Sequence, residues 1–481
     1  RRDTAARIRR SGLRPGRGAD INSADSGLPR AGRVALTGAR ARRLGTGLAA
    51  LLAILSALAP GPGCVRSSAA EAPGRPVDLE APPETRYRLA PFLTFGAEIE
   101  LVYEFRHNLD LDRRRDDDAS LLTPELSLAL SFAPDPRFQA FLNVALSRDF
   151  VLRDGVEGSR PSEDVALEVK EAFVWARSLP GGLSVQLGRQ RFEDEREWLY
   201  DEELDAVRVR YEHGAVAVEL SASRNGLVRK DVLRAAKRDR INNYVLHASY
   251  RPREDLMLEA YAIARDDRGA DRQRPVFLGA RSRGEPIEDL DYWLELGYVG
   301  GRNGPNRLRG WGVDLGATYE LQVPLKPALT VGLAFGSGDR DADDGIDRSF
   351  RQTGLQDNEA DFGGAASFKY YGEALDPELS NLAVFTAGLG VRPSEKFSLD
   401  LVYHYYLQHR ASEAIRGGGI DAEPSGRSRR LGSGVDFVVG VQEITNRVDG
   451  KLVLGYFMPG AAFPERTGGA WVVRTEVQFR F

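Results

Sequence analysis

Residues 470–481 read AWVVRTEVQFRF. Trp471, Val473, Thr475, Val477, Phe479 and Phe481 fall on one face of an extended chain, and Val472, Arg474, Glu476, Gln478 and Arg480 fall on the other. A period of two marks a strand with one apolar and one wet face. Such a strand has few places to go. In a soluble sandwich its apolar face packs on a second sheet. In a closed transmembrane barrel that face meets lipid and the other lines a polar lumen. An aromatic residue at the end of the last strand fits the barrel.

The pattern recurs along the chain. Leu93, Phe95, Ala97, Ile99, Leu101, Tyr103 and Phe105 share a face, as do Phe397, Leu399, Leu401, Tyr403, Tyr405 and Leu407. Alternation predicts eighteen strands, over 92–106, 119–132, 136–150, 164–176, 182–191, 203–212, 214–224, 241–251, 255–265, 274–282, 290–300, 308–319, 327–336, 380–392, 396–408, 430–443, 450–457 and 470–481. Barrels of this kind have short periplasmic turns and longer outer loops. The even-numbered connections are short, such as 133–135, 252–254 and 393–395. The odd ones, such as 107–118, 225–240, 337–379 and 409–429, are mostly long and rich in Asp, Arg, Gly and Pro, with 266–273 and 301–307 only moderate. The same parity leaves the strand-like 366–371 inside the long 337–379 loop. The expected fold is therefore all-β: a transmembrane, antiparallel, up-and-down β-barrel over 92–481.

Composition supports this and removes other classes. Gly is abundant at 51, with 16 Tyr and 21 Phe but only two Met and one Cys, which suits tight turns and membrane girdles. Residues 1–44 hold twelve Arg and three Asp. The apolar run 44–59 follows the basic stretch 40–43 and precedes the small residues Ser68-Ala69-Ala70. Residues 1–70 thus read as a leader and secretory signal, the run being shorter than the roughly 20 residues of a membrane anchor. Cys64 leaves a lipoprotein signal as the alternative, although Gly61-Pro62-Gly63 fits lipidation poorly. Residues 71–91 read as a periplasmic segment, too short for the plug domain of a TonB-dependent receptor. Residues 71–481 carry 53 basic and 67 acidic side chains, a net of −14, which argues against a nucleic-acid partner. With Cys64 in the leader there is no disulfide framework and no thiolate metal site.

Five segments carry a resemblance: Gly188-Arg189-Gln190-Arg191-Phe192, Asp201-Glu202-Glu203-Leu204-Asp205-Ala206-Val207-Arg208, Leu290-Asp291-Tyr292-Trp293, Asp347 to Leu355 (DRSFRQTGL) and Tyr370 to Leu382 (YYGEALDPELSNL). From about residue 90 onward the chain resembles the alginate-export porin family of outer-membrane proteins. The RQTGL and DPELSNL stretches are the more specific. The resemblance implies an eighteen-stranded outer-membrane barrel that passes an anionic uronate polysaccharide. It also implies periplasmic export-complex proteins as candidate partners.

A channel for a carboxylate polymer wants basic groups in its narrow region, and Arg grips carboxylates with paired donors. Parity nominates Lys170, Arg208, Arg210 and Arg474 as basic lumen residues. Arg189 and Arg191 match the family motif, but parity sets them on the lipid face unless a bulge at Gly188 turns them inward. Arg348 and Arg351 reach the lumen only if the 337–379 loop folds in. Glu98, Glu100, Glu104, Glu168, Glu295, Asp314 and Asp436 also face inward, so a selective basic constriction competes with plain structural ion pairs.

Weaker signals complete the reading. Asp339, Asp341, Asp343, Asp344, Gly345 and Asp347 look like a calcium loop, but Gly is one place late and Phe350 stands where the twelfth-position Glu belongs. They are expected to be solvated, so no metal and no cofactor are expected. His404 and His409 sit on opposite faces of a strand. Tyr103, Trp198, Tyr250, Tyr319, Tyr403 and Trp471 read as interface girdle. Ser398 and His404 share a face but lie roughly 20 Å apart along a strand, which argues against an enzyme. The expected function is passive export of an alginate-like polysaccharide by a monomer in the outer membrane. The alternative is a less selective porin for small anionic solutes.

Overall fold

The computed structural model describes residues 85–154, 165–227, 230–233, 241–269, 272–341, 343–444, 447–464 and 467–481. The leader, the signal and most of the 71–91 segment lie outside the described residues.

Eighteen strands form one antiparallel ring: β1 Leu93–His107, β2 Ala119–Asp135, β3 Phe138–Arg148 (continued by Phe150–Asp154), β4 Val165–Leu179, β5 Leu183–Glu193 and β6 Asp201–His213, then β7 Val216–Arg224, β8 Ile241–Arg253, β9 Leu256–Asp267, β10 Arg274–Ile287, β11 Leu290–Asn303 and β12 Asn306–Glu320, and finally β13 Ala328–Gly336, β14 Leu382–Ser394, β15 Phe397–Gln408, β16 Arg430–Ile444, β17 Val448–Pro459 and β18 Ala470–Arg480. Each strand pairs with its chain neighbours. β18 closes on β1 in register from Glu98 opposite Arg480 to His107 opposite Trp471. Closure leaves no long free edge, which a sheet in hydrocarbon cannot tolerate. No helix among the described residues is long and apolar enough to cross a membrane.

Burial follows the alternation. Leu128, Leu142, Leu187, Leu220, Leu246, Leu278, Leu329, Val331 and Leu401 are exposed large apolar side chains on the outside. A soluble monomer does not expose so continuous an apolar band. Tyr250, Tyr319, Tyr403 and Trp471 are exposed on the same surface, where a ring with a polar tip suits the lipid boundary.

Two local features depart from simple alternation. In β4, Glu171 pairs with Asn143 and Val169 with Val144, so Lys170 is an extra residue, a bulge. Before Ala172, over 165–171, β4 does not pair with β5. Its edge there is bridged by Lys230–Val232, which exchange backbone hydrogen bonds with Leu167 and Val169. The outer connection between β11 and β12 is tighter than its parity suggests, since Asn303 pairs with Asn306.

The 337–381 loop is not a surface loop. It leaves β13 at Gly336 and returns at Leu382, which faces Gly336 in the ladder. Between them it runs down the inside of the barrel. Phe362 and Gly363 carbonyls accept from Arg392 near the end of β14, at 3.0 and 2.7 Å, and Ala365 N–H donates to Ser398 Oγ on the second residue of β15 at 2.8 Å. The loop therefore spans most of the wall height, and we call it the plug. Phe368–Lys369 does form a strand, but it pairs only with Glu359–Ala360 inside the plug, as the parity argument required.

Candidate functional site

The plug is held by a cluster that the motifs build. Tyr371 O–H donates to Asp314 Oδ2 at 2.9 Å, and Trp293 Nε1 donates to the other carboxylate oxygen at 2.8 Å. Trp198 Nε1 donates to Tyr371 at 3.1 Å and its ring stacks on Phe350. Trp293 stacks on Phe362, and Arg196 lies over both Trp293 and Tyr370. Gln352 binds the Trp198 carbonyl and Asn358, Thr353 binds the Leu199 carbonyl, and Leu355 accepts from Asp201 N–H. Tyr406 O–H donates to the Tyr371 carbonyl at 2.8 Å, and Glu373 N–H donates to Asp436. The RQTGL and YYGEALDPELSNL stretches thus form the plug and its contacts. The segment 194–200 is its seat.

Room for the plug comes from glycines on the inner face. A methyl group on Gly312 would meet the Phe350 ring at 2.7 Å, one on Gly310 the Phe350 Cα at 2.5 Å, and one on Gly455 the Glu373 Cβ at 2.8 Å. Trp198 is 3% exposed. It belongs to this buried cluster, not to the interface girdle predicted for it. It lies in the 194–200 loop, which folds inward, and strand parity says nothing about loops.

The nominated charges are placed as follows. Lys170 points inward, 3.3 Å from Glu125 and 3.8 Å from Glu168. Arg208 also points inward but is sealed at 1% exposure, ion-paired with Glu219 at 2.9 Å and covered by the Phe192 ring. Arg210 pairs with Glu212 at 2.8 Å and Arg474 lies 3.6 Å from Glu476. Arg189 and Arg191 follow the β5–β6 ladder without a register shift. Gly188 has a φ of +130°, yet β5 and β6 stay in register through it, with Leu187 opposite Val207 and Arg189 opposite Asp205. Arg189 is buried beside Asp205, and Arg191 pairs with Glu193 and Asp201 near the strand end. Arg348 stays at the mouth of the plug with Asp339 and Asp344, while Arg351 goes inside and pairs with Asp347. Glu98 meets Arg480 at 3.2 Å, and Glu100 accepts from Gln478 at 3.3 Å. Asp314 is the plug's main anchor.

The acids of the 339–347 loop are held within their own loop. Asp339, Asp341 and Asp344 bind Arg348 or backbone N–H groups of their own loop. Glu197, Asp357 and Glu359 bring oxygens within 4.8 Å of one another. Lys369 pairs with Asp357, and Lys451 with Glu359, so two of the three are already neutralised. Burial and then Asp201, Glu359 and Asp357 push the Glu197 carboxyl up to about 9. Burial opposes ionisation of Glu359 too, but Lys451, Arg474 and Lys369 pull it down to about 2. His404 is fully buried, 3.0 Å from Thr386 and 3.1 Å from Asp436, while Ser398 is taken by the plug backbone.

Sequence reasoning missed Arg196, Lys369 and Lys451, and gave Trp198 a different role. The signal that could have found the seat is the inward glycine series Gly310, Gly312, Gly316 on β12. An inner wall stripped of side chains at alternate positions must pack against something else.

The family described as Alginate export matches residues 92–474. The alginate production protein AlgE of Pseudomonas aeruginosa is 34% identical over 133 residues, covering 27% of this chain and 26% of that protein. AlgE of Azotobacter vinelandii is 31% identical over 137 residues, covering 27% and 28%. These two matches span about a quarter of the relatives' length. AlgE of Pseudomonas syringae is 22% identical over 432 residues, 76% of this chain and 84% of that protein. Among solved structures, OpdK of Pseudomonas aeruginosa superposes with a TM-score of 0.56 at 11% identity, covering 81% of this chain and 98% of that one. OccAB3 of Acinetobacter baumannii superposes with a TM-score of 0.54 at 11% identity, covering 81% and 99%. At such identities the superpositions speak for the barrel fold alone.

Proposed function

The chain belongs to the alginate-export family and is an outer-membrane β-barrel channel, and from that premise we propose that it passes an anionic, uronate-type polysaccharide passively out of the periplasm. The observation that carries this reading is the match over residues 92–474, whose most specific motifs build the plug and its seat rather than a surface loop. No bond chemistry is needed: a conduit has to offer weak, repeated contacts. Lys170, Arg210 and Arg474 each stand beside a carboxylate. A passing carboxylate can displace the fixed one from such a base and then be displaced in turn, which keeps each contact small. Arg208 and Arg351 act as wall and plug supports, because both are buried in ion pairs. Ring closure within one chain supports a monomer. Periplasmic export-complex proteins would deliver the polymer.

The test is a planar-bilayer recording with and without uronate oligomers. Block that deepens with oligomer concentration is expected. Unchanged current at saturating oligomer would sink the polymer reading. The second reading, a porin for small anionic solutes, gains weight from the plug, which lies over the inner wall from Trp293 on β11 to Gly455 on β17. Permeation of small anions without oligomer block would favour it.

A further inference from the structure

On the outside of the barrel, β10, β11 and β12 end in a row of arginines. Arg274 stands opposite Arg302 in the ladder, Arg302 stands opposite Arg307, and Arg309 follows on the same face of β12. Cross-strand partners share a face, and this one is turned away from the lumen. Leu278, Tyr298 and Trp311 lie on it side by side and are exposed, whereas Phe277 and Leu308 on the other face are buried. All four arginines are exposed. No long loop overhangs them, since Asn303 pairs with Asn306 across a tight turn. Among the described residues the row meets one carboxylate: Asp266 binds Arg274 at 2.9 Å and is shared with Arg268. The guanidinium groups of Arg302, Arg307 and Arg309 have no ion pair or hydrogen bond among the described residues. Like charges directly opposite each other destabilise a sheet, and nothing in the chain offsets the pairing of Arg302 with Arg307.

The row also sits at a defined depth. Tyr298 and Trp311 are exposed aromatics of the lipid–water boundary. Arg309 and Arg302 lie beyond them toward the outer rim, roughly 7–14 Å along the strands and less after strand tilt. That is the headgroup layer of the outer leaflet. The Tyr298 ring lies over Gly300, where a methyl group would meet it at 3.2 Å and its hydroxyl oxygen at 3.8 Å. The only polar atom of that ring is thus carried toward the row.

We propose that this row is a docking site for the phosphates of a phosphorylated glycolipid of the outer leaflet, with Arg302, Arg307 and Arg309 as the binding residues. Guanidinium forks match phosphate oxygens with paired donors. A phosphate between Arg302 and Arg307 turns their repulsion into two attractions, while its acyl chains run down past Tyr298 and Leu278. Because the row faces away from the bore, a polymer inside the bore does not reach it. The inference rests on the outer-membrane barrel and not on the identity of its cargo.

The experiment is a native mass-spectrometry titration of the purified full chain in detergent with bisphosphorylated lipid A. The wild type should carry a lipid A adduct, and enzymatically dephosphorylated lipid A should bind far more weakly. The variant R302Q/R307Q/R309Q should lose at least about ten-fold in affinity, the worth of one charge-assisted contact. The variant R113Q/R114Q/R115Q removes the same charge from the 107–118 loop and should bind as wild type does. Equal binding of the two lipids by the wild type overturns the proposal without any variant, so a row variant that fails to fold does not end the test. Equal loss in both triple variants overturns it too, since binding would then follow net charge alone. Uronate oligomers are the second titrant: oligomers that displace lipid A from the wild type would give the row to the cargo and overturn the proposal. Oligomer block in the bilayer is scored separately, so either reading can fail while the other stands.

Discussion

Strands β11 to β17 and strands β18 to β4 enclose the same lumen but are finished differently. The first wall places glycine and small residues inward and is covered by the plug, so its few charges are buried and have fixed partners: Asp314 with Tyr371 and Trp293, Asp436 with Glu373 and His404. The second places Glu98, Glu100, Glu125, Glu168, Lys170 and Arg474 inward and leaves them partly wet. One wall packs its inner face against the plug; the other carries these charges beside a small buried cluster of Ala129, Phe141, Phe173 and Trp175. The difference teaches that inward parity alone does not make a residue part of a transport path. What matters is whether a loop lies over it.

The comparison can be broken most directly by removing the cover. Replacing 339–379 with a short Gly-Ser turn should raise single-channel conductance several-fold and leave a heat-modifiable barrel, because Gly336 and Leu382 already face each other. Unchanged conductance would mean that the plug does not narrow the path. A smaller lesion is Gly312→Val. Its methyls must displace the Phe350 ring, at a cost of about 1–3 kcal/mol, and limited proteolysis should then cut the plug faster. Tyr371→Phe leaves Trp198 N–H and one Asp314 oxygen without that partner, a loss of about 1–3 kcal/mol in plug docking. Hydrogen exchange across 350–380 would detect it, and equal protection would remove Tyr371 from the anchor.

The pH response follows from two plug-side acids. Burial pushes Glu373 up to about 7, and burial with neighbouring acids pushes Glu197 up to about 9, from an ordinary value of 4.5. A docked state that raises these values binds protons more tightly than the undocked one. Docking is therefore strongest below the ordinary value and weakens as pH rises through 7 toward 9. Glu359, held low, works in the opposite sense, but only in acid below 4.5. Protease protection of the plug should fall as pH is raised over this range, and a flat profile in wild type would count against it. The smallest effect is expected on the open wall. Glu125→Gln relieves the opposition to Glu100 but also loses Lys170, so barrel stability should change by no more than about 1 kcal/mol. A larger loss on urea unfolding would show that this wall is packed as tightly as the other.

Most of the ring was legible because lipid and water impose opposite demands on alternate residues, and eighteen segments obeyed them within a few residues at each end. Ion pairing was also foreseeable in kind, since acids and bases share the inward positions of β1, β4 and β18. The plug was not legible. Alternation describes strands, and the 337–381 and 194–200 segments are held by single side chains such as Tyr371 and Trp198 that carry no periodicity. The same gap explains Arg208: the Phe192 ring and Glu219 that cover it come from neighbouring strands whose inner faces were not weighed together. Arg189 and Arg191 differ again. Gly188 did take an unusual backbone angle, but the ladder absorbed it without a slip.

One consequence follows from the plug leaving and re-entering the wall at paired residues. The hoop of hydrogen bonds passes from Gly336 to Leu382 without needing anything between them. Bore and hoop are therefore separate variables. The insert could be shortened, nicked or exchanged to suit another cargo, while the cylinder that must survive in the bilayer keeps every one of its staves.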